Sequence, residues 1–282
     1  ADEIARFNAS VENTGPEKVL SDTTADGWRL HIAANIVRSE ELPLLEPLKI
    51  RRIGLFRSEF IFMESVDLPS EKFQTEVYTR VVEAAPEMAV LRTIDIGSDK
   101  PLRYVPLAHE ENPAMGFRSV RFSLARPDIF EPQLRAMIRA AQHGNCRIIF
   151  PMVSVPAELA ALDELYRRIV DEVKPAKVPE WGIMLEVPSA IFMLADIARY
   201  TRYISLGTND LLQFFFAVDR TNEKLAGLGV DEFSMRPAAL KNIMALIPQL
   251  NRAQVRGIVQ SMLMNPPDDH DCRAFLQANF PL

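Results

Sequence analysis

The chain has 282 residues, 48% of them hydrophobic and 25% charged, with a formal net charge of −6. That length suits one large α/β domain or two ordinary ones, and the composition is that of a globular protein. The negative balance argues against a nucleic-acid footprint, no apolar run reaches membrane-spanning length, and two cysteines, Cys146 and Cys272, point to a reducing compartment rather than a disulfide framework.

The start, Ala1-Asp-Glu-Ile-Ala-Arg6, is charged and does not read as a secretory signal, so a cytoplasmic location is expected. Residues 1–25 read as a linker or helical remnant, broken at Asn13-Thr-Gly-Pro16. From about Trp28 a rhythm begins, and residues 26–282 read as one domain. Leu30 to Ile36 is the first expected strand and Ile53-Gly-Leu-Phe56 the second, ending at Arg57-Ser-Glu59. Met88 to Leu91 is the third, ending at Arg92-Thr-Ile-Asp95. Cys146 to Phe150, Ile183 to Leu185 and Tyr203 to Leu206 follow, and Glu232 to Met235 is a short seventh. Near-continuous apolar strands of this kind are those buried on both faces of a parallel sheet.

Helical patterns lie between them. Ser70 is placed to cap a helix over Glu71 to Ala85. In Glu131 to Gln142, Leu134, Met137, Ile138 and Ala141 share one face. In Pro156 to Val173, Leu159, Leu162, Tyr166 and Ile169 do the same, with Pro156 near the start, where a missing N–H costs little. Alternating strands and helices mean an α/β fold with a parallel sheet. Six or seven such units without a break favour a (β/α)₈ TIM-type barrel over an open sheet. No Gly-rich nucleotide fingerprint follows any strand. The count nevertheless falls short of eight strands.

The strand ends carry Arg57, Glu59, Arg92, Asp95, Glu186, Asn209 and Asp210, which a barrel would point into one mouth. Arg118 and Arg220 lie just beyond such ends. Arginine forks match phosphate and carboxylate oxygens, and Mg²⁺ takes one or two carboxylates plus waters and substrate oxygens. A phosphorylated carboxylic acid would satisfy them together. Plainer readings exist. Asp95 and Asp99 pair easily with Arg92 and Lys100, and Asn209-Asp210 is a favoured helix-cap sequence. Convergence of several strand ends weighs against them. Cys146, at the start of an apolar strand, reads as structural, and the four histidines show no metal-ligand spacing.

Five segments then carry a resemblance. They are Gly54 to Met63, Leu91 to Lys100, Glu110 to Arg118, Ile183 to Pro188 and Ser205 to Arg220. Together they resemble the phosphoenolpyruvate-binding domain of Enzyme I of the bacterial phosphotransferase system, which has a nitrogen-regulatory paralogue. Pyruvate phosphate dikinase and phosphoenolpyruvate synthase share the barrel, but Arg92 to Lys100 looks most like Enzyme I. The resemblance implies that Arg57, Arg92 and Arg220 bind the phosphoryl group and stabilise its transfer. Glu186 and Asp210 would hold Mg²⁺, Asn209 would bond the phosphate, and Arg118 and Lys100 would line the pocket. It further implies a homodimer, a phosphohistidine on an N-terminal domain, and a small HPr-like carrier protein that receives the phosphate, for sugar uptake or nitrogen regulation. A non-catalytic phosphoenolpyruvate sensor or dimerisation module is the rival reading.

The sequence departs from the family in three ways. No histidine stands in a phosphoacceptor motif, so the chain looks like the C-terminal half of a longer enzyme. Ser58 and Ser98 stand where the family usually has Thr and Gly. The expected seventh strand, ending in Cys-Gly-Glu with a proton-donating cysteine, and the helix before it are missing: Leu225-Ala-Gly227 runs almost directly into Leu228 to Met235. A barrel short of one strand would expose two unpaired edges, so the protein is expected to contain the missing unit. Intact-mass spectrometry tests this: a species heavier than 31.9 kDa is expected, and a mass equal to 31.9 kDa would overturn it.

Overall fold

Short apolar runs bounded by turn residues form the sheet. In a computed structural model, residues 22–27, 29–98 and 102–217 are described. Six strands make one sheet: β1 (Ala34–Ile36), β2 (Arg52–Arg57), β3 (Met88–Arg92), β4 (Cys146–Phe150), β5 (Glu180–Leu185) and β6 (Tyr203–Leu206). They pair in the order 1-2-3-4-5-6, and every pair is parallel. An open doubly wound sheet reverses its order at a switch point; here the order never reverses, and the sheet curls as a half-barrel.

Eight helices fill the connections among the described residues: α1 (Glu59–Met63), α2 (Glu71–Glu83), α3 (Ser119–Ala125), α4 (Pro127–Ala140), α5 (Pro156–Val173), α6 (Pro188–Phe192), α7 (Leu194–Tyr200) and α8 (Thr208–Phe216). Ser70 caps α2 as expected, its hydroxyl accepting from the N–H of Phe73 at 3.2 Å. The helix expected from Glu131 begins earlier because Pro127 takes its first position, where proline is pre-organised. α5 matches the expected span. β1 is shorter than Leu30 to Ile36 and carries a register shift against β2.

Strand periodicity divides the core into two layers. Ala89 and Leu91, Ile148 and Phe150, and Ile183 and Leu185 pack outward against α2, α4 and α5. Val90, Ile149 and Met184 face inward, with Leu55, Met88 and Tyr203 against them. The next inward positions after Leu55, Val90 and Met184 are Arg57, Arg92 and Glu186. Alternation alone therefore sends those three side chains to one side at the carboxyl ends. A third cluster, including Phe62, Ile94, Ile96 and Phe122, packs beneath the segment after β3. Cys146 is buried, as expected of a structural cysteine, and burial pushes its thiol up to about 12.

The expected seventh strand, Glu232 to Met235, lies outside the described residues. Among those described, β6 is paired on one side only, and Leu206 on its outer face is 65% exposed. No described helix is long and apolar enough to cross a membrane.

Gly182 on β5 lies opposite Tyr203 on β6, where an added Cβ would sit 2.3 Å from the Tyr203 carbonyl oxygen. Backbone cannot give way as a side-chain tip can. Gly182→Ala should lower stability by about 1–3 kcal/mol, read as a lower urea midpoint. An unchanged midpoint would show that the β5–β6 contact is looser than described.

Candidate active site

β2 and β3 pair with Arg57 directly opposite Arg92. The register thus sets two guanidinium groups side by side at the sheet's carboxyl edge, where they repel unless an anion joins them. Glu59, the first residue of α1, does so. One oxygen, Oε1, accepts from Arg57 Nε at 2.9 Å and from Arg92 Nη2 at 2.5 Å. Arg92 Nη2 also lies 3.2 Å from Asp95 Oδ2. Asp95 Oδ1 in turn accepts from Arg118 Nη2 at 2.9 Å and from the hydroxyl of Ser119. Glu59, Arg92, Asp95 and Arg118 are all buried, while the Arg57 side chain is a third exposed.

Burial alone would lower the pKa of Arg92. Glu59, Asp95 and Glu186 outweigh it and hold the guanidinium charged, above its usual range. Glu59 Oε2 and Arg92 Nε have no hydrogen-bond partner among the described residues. Each buried orphan of this kind costs about 1–3 kcal/mol. The layer beneath is better satisfied: Gln133 Nε2 donates to Ser58 Oγ and Tyr78 Oη, both at 3.0 Å, and Gln133 Oε1 accepts from the N–H of Ile94.

Glu186 stands at the end of β5 and is buried. The N–H of Met152 donates to its Oε1 at 2.7 Å. Met152 reaches this bond from the left-handed region, at φ 58°. Burial pushes the Glu186 carboxyl up to about 8; the nearby Asp95 and Asp210 add to this, against the pull of Arg92. Gly207 leaves room for it, since a Cβ there would lie 2.6 Å from Glu186 Oε2. Gly207 is also the N-cap of α8, so Asn209 and Asp210 are its second and third residues and neither is the cap. The first turn of a helix favours a carboxylate such as Asp210.

Arg57, Arg92 and Arg118 are therefore joined through Glu59 and Asp95, and Asp210 stands near enough to Glu186 to raise the cost of ionising it. Lys100 and Arg220 lie outside the described residues. The plainer pairing of Asp95 with Arg92 is present, but within this larger cluster. Sequence reasoning noted Glu59 at a strand end without giving it a role, and Asp95 only as a plain partner of Arg92; the Arg-x-Glu spacing at Arg57 was the available signal for Glu59. Ser119, at φ 50°, and the Met152 N–H were missed, because a non-glycine residue with positive φ carries no residue-type mark.

Among the described residues, no three His, Cys, Asp or Glu side chains converge as a closed metal cage. Mg²⁺ does not need one. Glu186 offers a buried, poorly neutralised carboxylate beside Asp210, and two hard oxygen donors of this kind fit that ion.

A family model described as "PEP-utilising enzyme, PEP-binding domain" matches residues 11–259. The chain belongs to this family. Among curated relatives, the phosphoenolpyruvate-protein phosphotransferase of Mycoplasma pneumoniae is 39% identical over 221 residues, which is 78% of this chain and 38% of that protein. The multiphosphoryl transfer protein of Xanthomonas campestris is 38% identical over 86% of this chain and 29% of its own length. The chain thus spans well under half of these relatives. The match to the phosphotransferase of Staphylococcus carnosus, 34% identical, runs over 313 residues and 55% of that protein, yet covers 90% of this chain, about 254 of its residues. That relative therefore has on the order of 60 residues within the match that have no counterpart here. This PEP-binding family is the one that the five sequence segments resembled.

A raised carboxyl pKa has a stability consequence. The proton on Glu186 favours the folded state, so the stability it supplies is present below about 4.5, is lost as pH rises towards about 8, and stays lost above that. Glu186→Gln should therefore raise the melting temperature in metal-free buffer at pH 8, by about 2–4 °C for each kcal/mol recovered, and have little effect at pH 4.5. Thermal denaturation at both pH values checks this. Equal effects at both would show that Glu186 is not held protonated.

Proposed function

We propose that this chain binds phosphoenolpyruvate together with Mg²⁺ and is the donor part of a phosphoenolpyruvate-protein phosphotransferase. The observation that carries the reading is the cluster of part-exposed Arg57 with buried Arg92 and Arg118, beside Glu186 and Asp210, in a PEP-binding family member. The reading includes a closed (β/α)₈ barrel over residues 26–282, with residues 1–25 as a linker. It also includes a cytoplasmic homodimer, a phosphohistidine domain, and a small carrier protein that receives the phosphoryl group.

In this reading Arg57 and Arg92 bind the phosphoryl oxygens with the donors that Glu59 and Asp95 leave free, and Arg220 joins them. Arg118 and Lys100 line the same pocket, and Asn209 donates to the phosphate. Glu186 and Asp210 hold the metal; bound there, Mg²⁺ would neutralise charge on the substrate oxygens. The phosphorus–oxygen bond breaks, the phosphoryl group passes to a histidine nitrogen, and the enolate of pyruvate is left to take a proton at carbon. Fixed positive charge aimed at a moving phosphoryl group is the usual protein contribution to such transfers. Family members of this type protonate the enolate from a cysteine in a Cys-Gly-Glu motif. These 282 residues contain no such motif, and that favours, as a second reading, a chain that binds phosphoenolpyruvate without turning it over.

Calorimetry tests the binding. Phosphoenolpyruvate should bind only with Mg²⁺ present. Arg92→Ala should weaken binding at least about tenfold, because hydrogen bonds to charged groups are worth about 1.5–3 kcal/mol. Removing Arg92 also strands buried carboxylates, so Arg57→Ala, at a more exposed site, serves as the second variant. Wild-type affinity in both would overturn the site.

A further inference from the structure

We propose that Glu59 is the positioning residue of the two phosphate-facing arginines, holding Arg57 and Arg92 as one unit through a single shared oxygen. This rests on the phosphoenolpyruvate-binding reading and adds to it a residue that touches no substrate.

Three observations point the same way. The β2–β3 register forces Arg57 opposite Arg92 on the inner face. Like charges at neighbouring strand ends need an anion between them, and Glu59 Oε1 accepts from both. Among the described residues the carboxylate makes no other bond: Oε2 is buried and has no partner there. A residue kept for stability would be expected to satisfy both oxygens, since a buried orphan costs folding free energy. What the arrangement achieves is geometric. Glu59 engages Nε of Arg57 and Nη2 of Arg92, leaving the Nη atoms of Arg57 without a protein hydrogen bond among the described residues. Asp95 Oδ2 lies 3.2 Å from the same Arg92 Nη2, so two carboxylates meet at that nitrogen and fix it. Arg57 is fixed by Glu59 and by the ring of Phe60, 5.3 Å from its guanidinium carbon.

The charge of Glu59, rather than its volume, is the working element. Glu59→Gln keeps the shape and one acceptor but removes the charge shared by two cations. The experiment measures phosphoenolpyruvate affinity by calorimetry with Mg²⁺, for the full chain, for Glu59→Gln, for Arg57→Ala and for the double variant. Glu59→Gln should weaken binding about 10- to 100-fold while the chain stays folded at the assay temperature, because Asp95 and Glu186 still face Arg92. In the Arg57→Ala background its effect should shrink severalfold, because half of what Glu59 organises is already gone. Unchanged affinity in Glu59→Gln, or a loss of equal size in both backgrounds, would overturn the proposal while leaving the phosphoenolpyruvate reading intact. If the wild-type chain binds no phosphoenolpyruvate, that reading fails. The positioning role is then judged by NMR of the Arg57 Nε–H, which should exchange slowly in the wild type and rapidly in Glu59→Gln; the same exchange rate in both would overturn it. If Glu59→Gln does not fold, rapid exchange of this proton in the wild type has the same force.

Discussion

Arg92 is a buried cation surrounded by carboxylates, and the site is organised around it. Glu59, Asp95 and Glu186 all bear on it, and each is itself buried. At the effective dielectric of a protein, two unit charges 4 Å apart interact by about 4 kcal/mol. No one of these groups can be taken out of water at acceptable cost without the others. Arg92 is therefore a keystone of the inner layer. Its position is set by the sheet: Val90 fills the inner face, and Arg92 is the next residue on that side. The strand pairing and the electrostatics have to form together.

The cluster is deliberately out of balance. Among the described residues, Arg57, Arg92 and Arg118 face Glu59, Asp95, Glu186 and Asp210. The deficit of positive charge falls on the Glu186 side, where Glu186 accepts a backbone hydrogen bond from the N–H of Met152. A fold selected for stability alone would place an arginine or a neutral residue there. The same region holds two non-glycine residues at positive φ, Ser119 and Met152, and each aims a donor at a buried carboxylate. Strain of this sort persists where the surroundings over-determine it, and such places are commonly functional. Under the proposed reading, a cation beside Glu186 and an anion beside the arginines would each lower the cost of binding the other.

Much of this was legible in the sequence, for a physical reason. Strands buried on both faces read as apolar runs, so β2 to β6 could be placed, and α2, α4 and α5 have wide apolar faces. The short helices α1, α3, α6 and α7 have too few turns to show a period. The start of α4 was misplaced because Pro127 is a helix start only in context. At the site, residue types and strand ends located Arg57, Arg92, Glu186 and Asp210 but could not say which carboxylate serves which arginine. Asp95 shows the limit: it was read as a simple partner of Arg92, yet it also holds Arg118 and Ser119. Only the fold distinguishes a pair from a network. The cap reading of Asn209-Asp210 failed because Gly207 is needed beside Glu186 and takes the cap position itself.

The last element, β6, has two faces with opposite demands. Its carboxyl end closes on Glu186 through Gly207, so the site cannot form unless β6 is held in register with β5. Its outer face exposes Leu206, and its far edge is unpaired among the described residues. An open parallel edge with an apolar face is an aggregation hazard that proteins usually cover. The Staphylococcus carnosus relative has about 60 residues that this chain lacks, enough for a helix and a strand with their loops. A further parallel strand beside β6 would bury Leu206, pair the open edge and bring one more strand end to the mouth. A strand in that place would thus serve the sheet's stability and stand next to Asp210 at once.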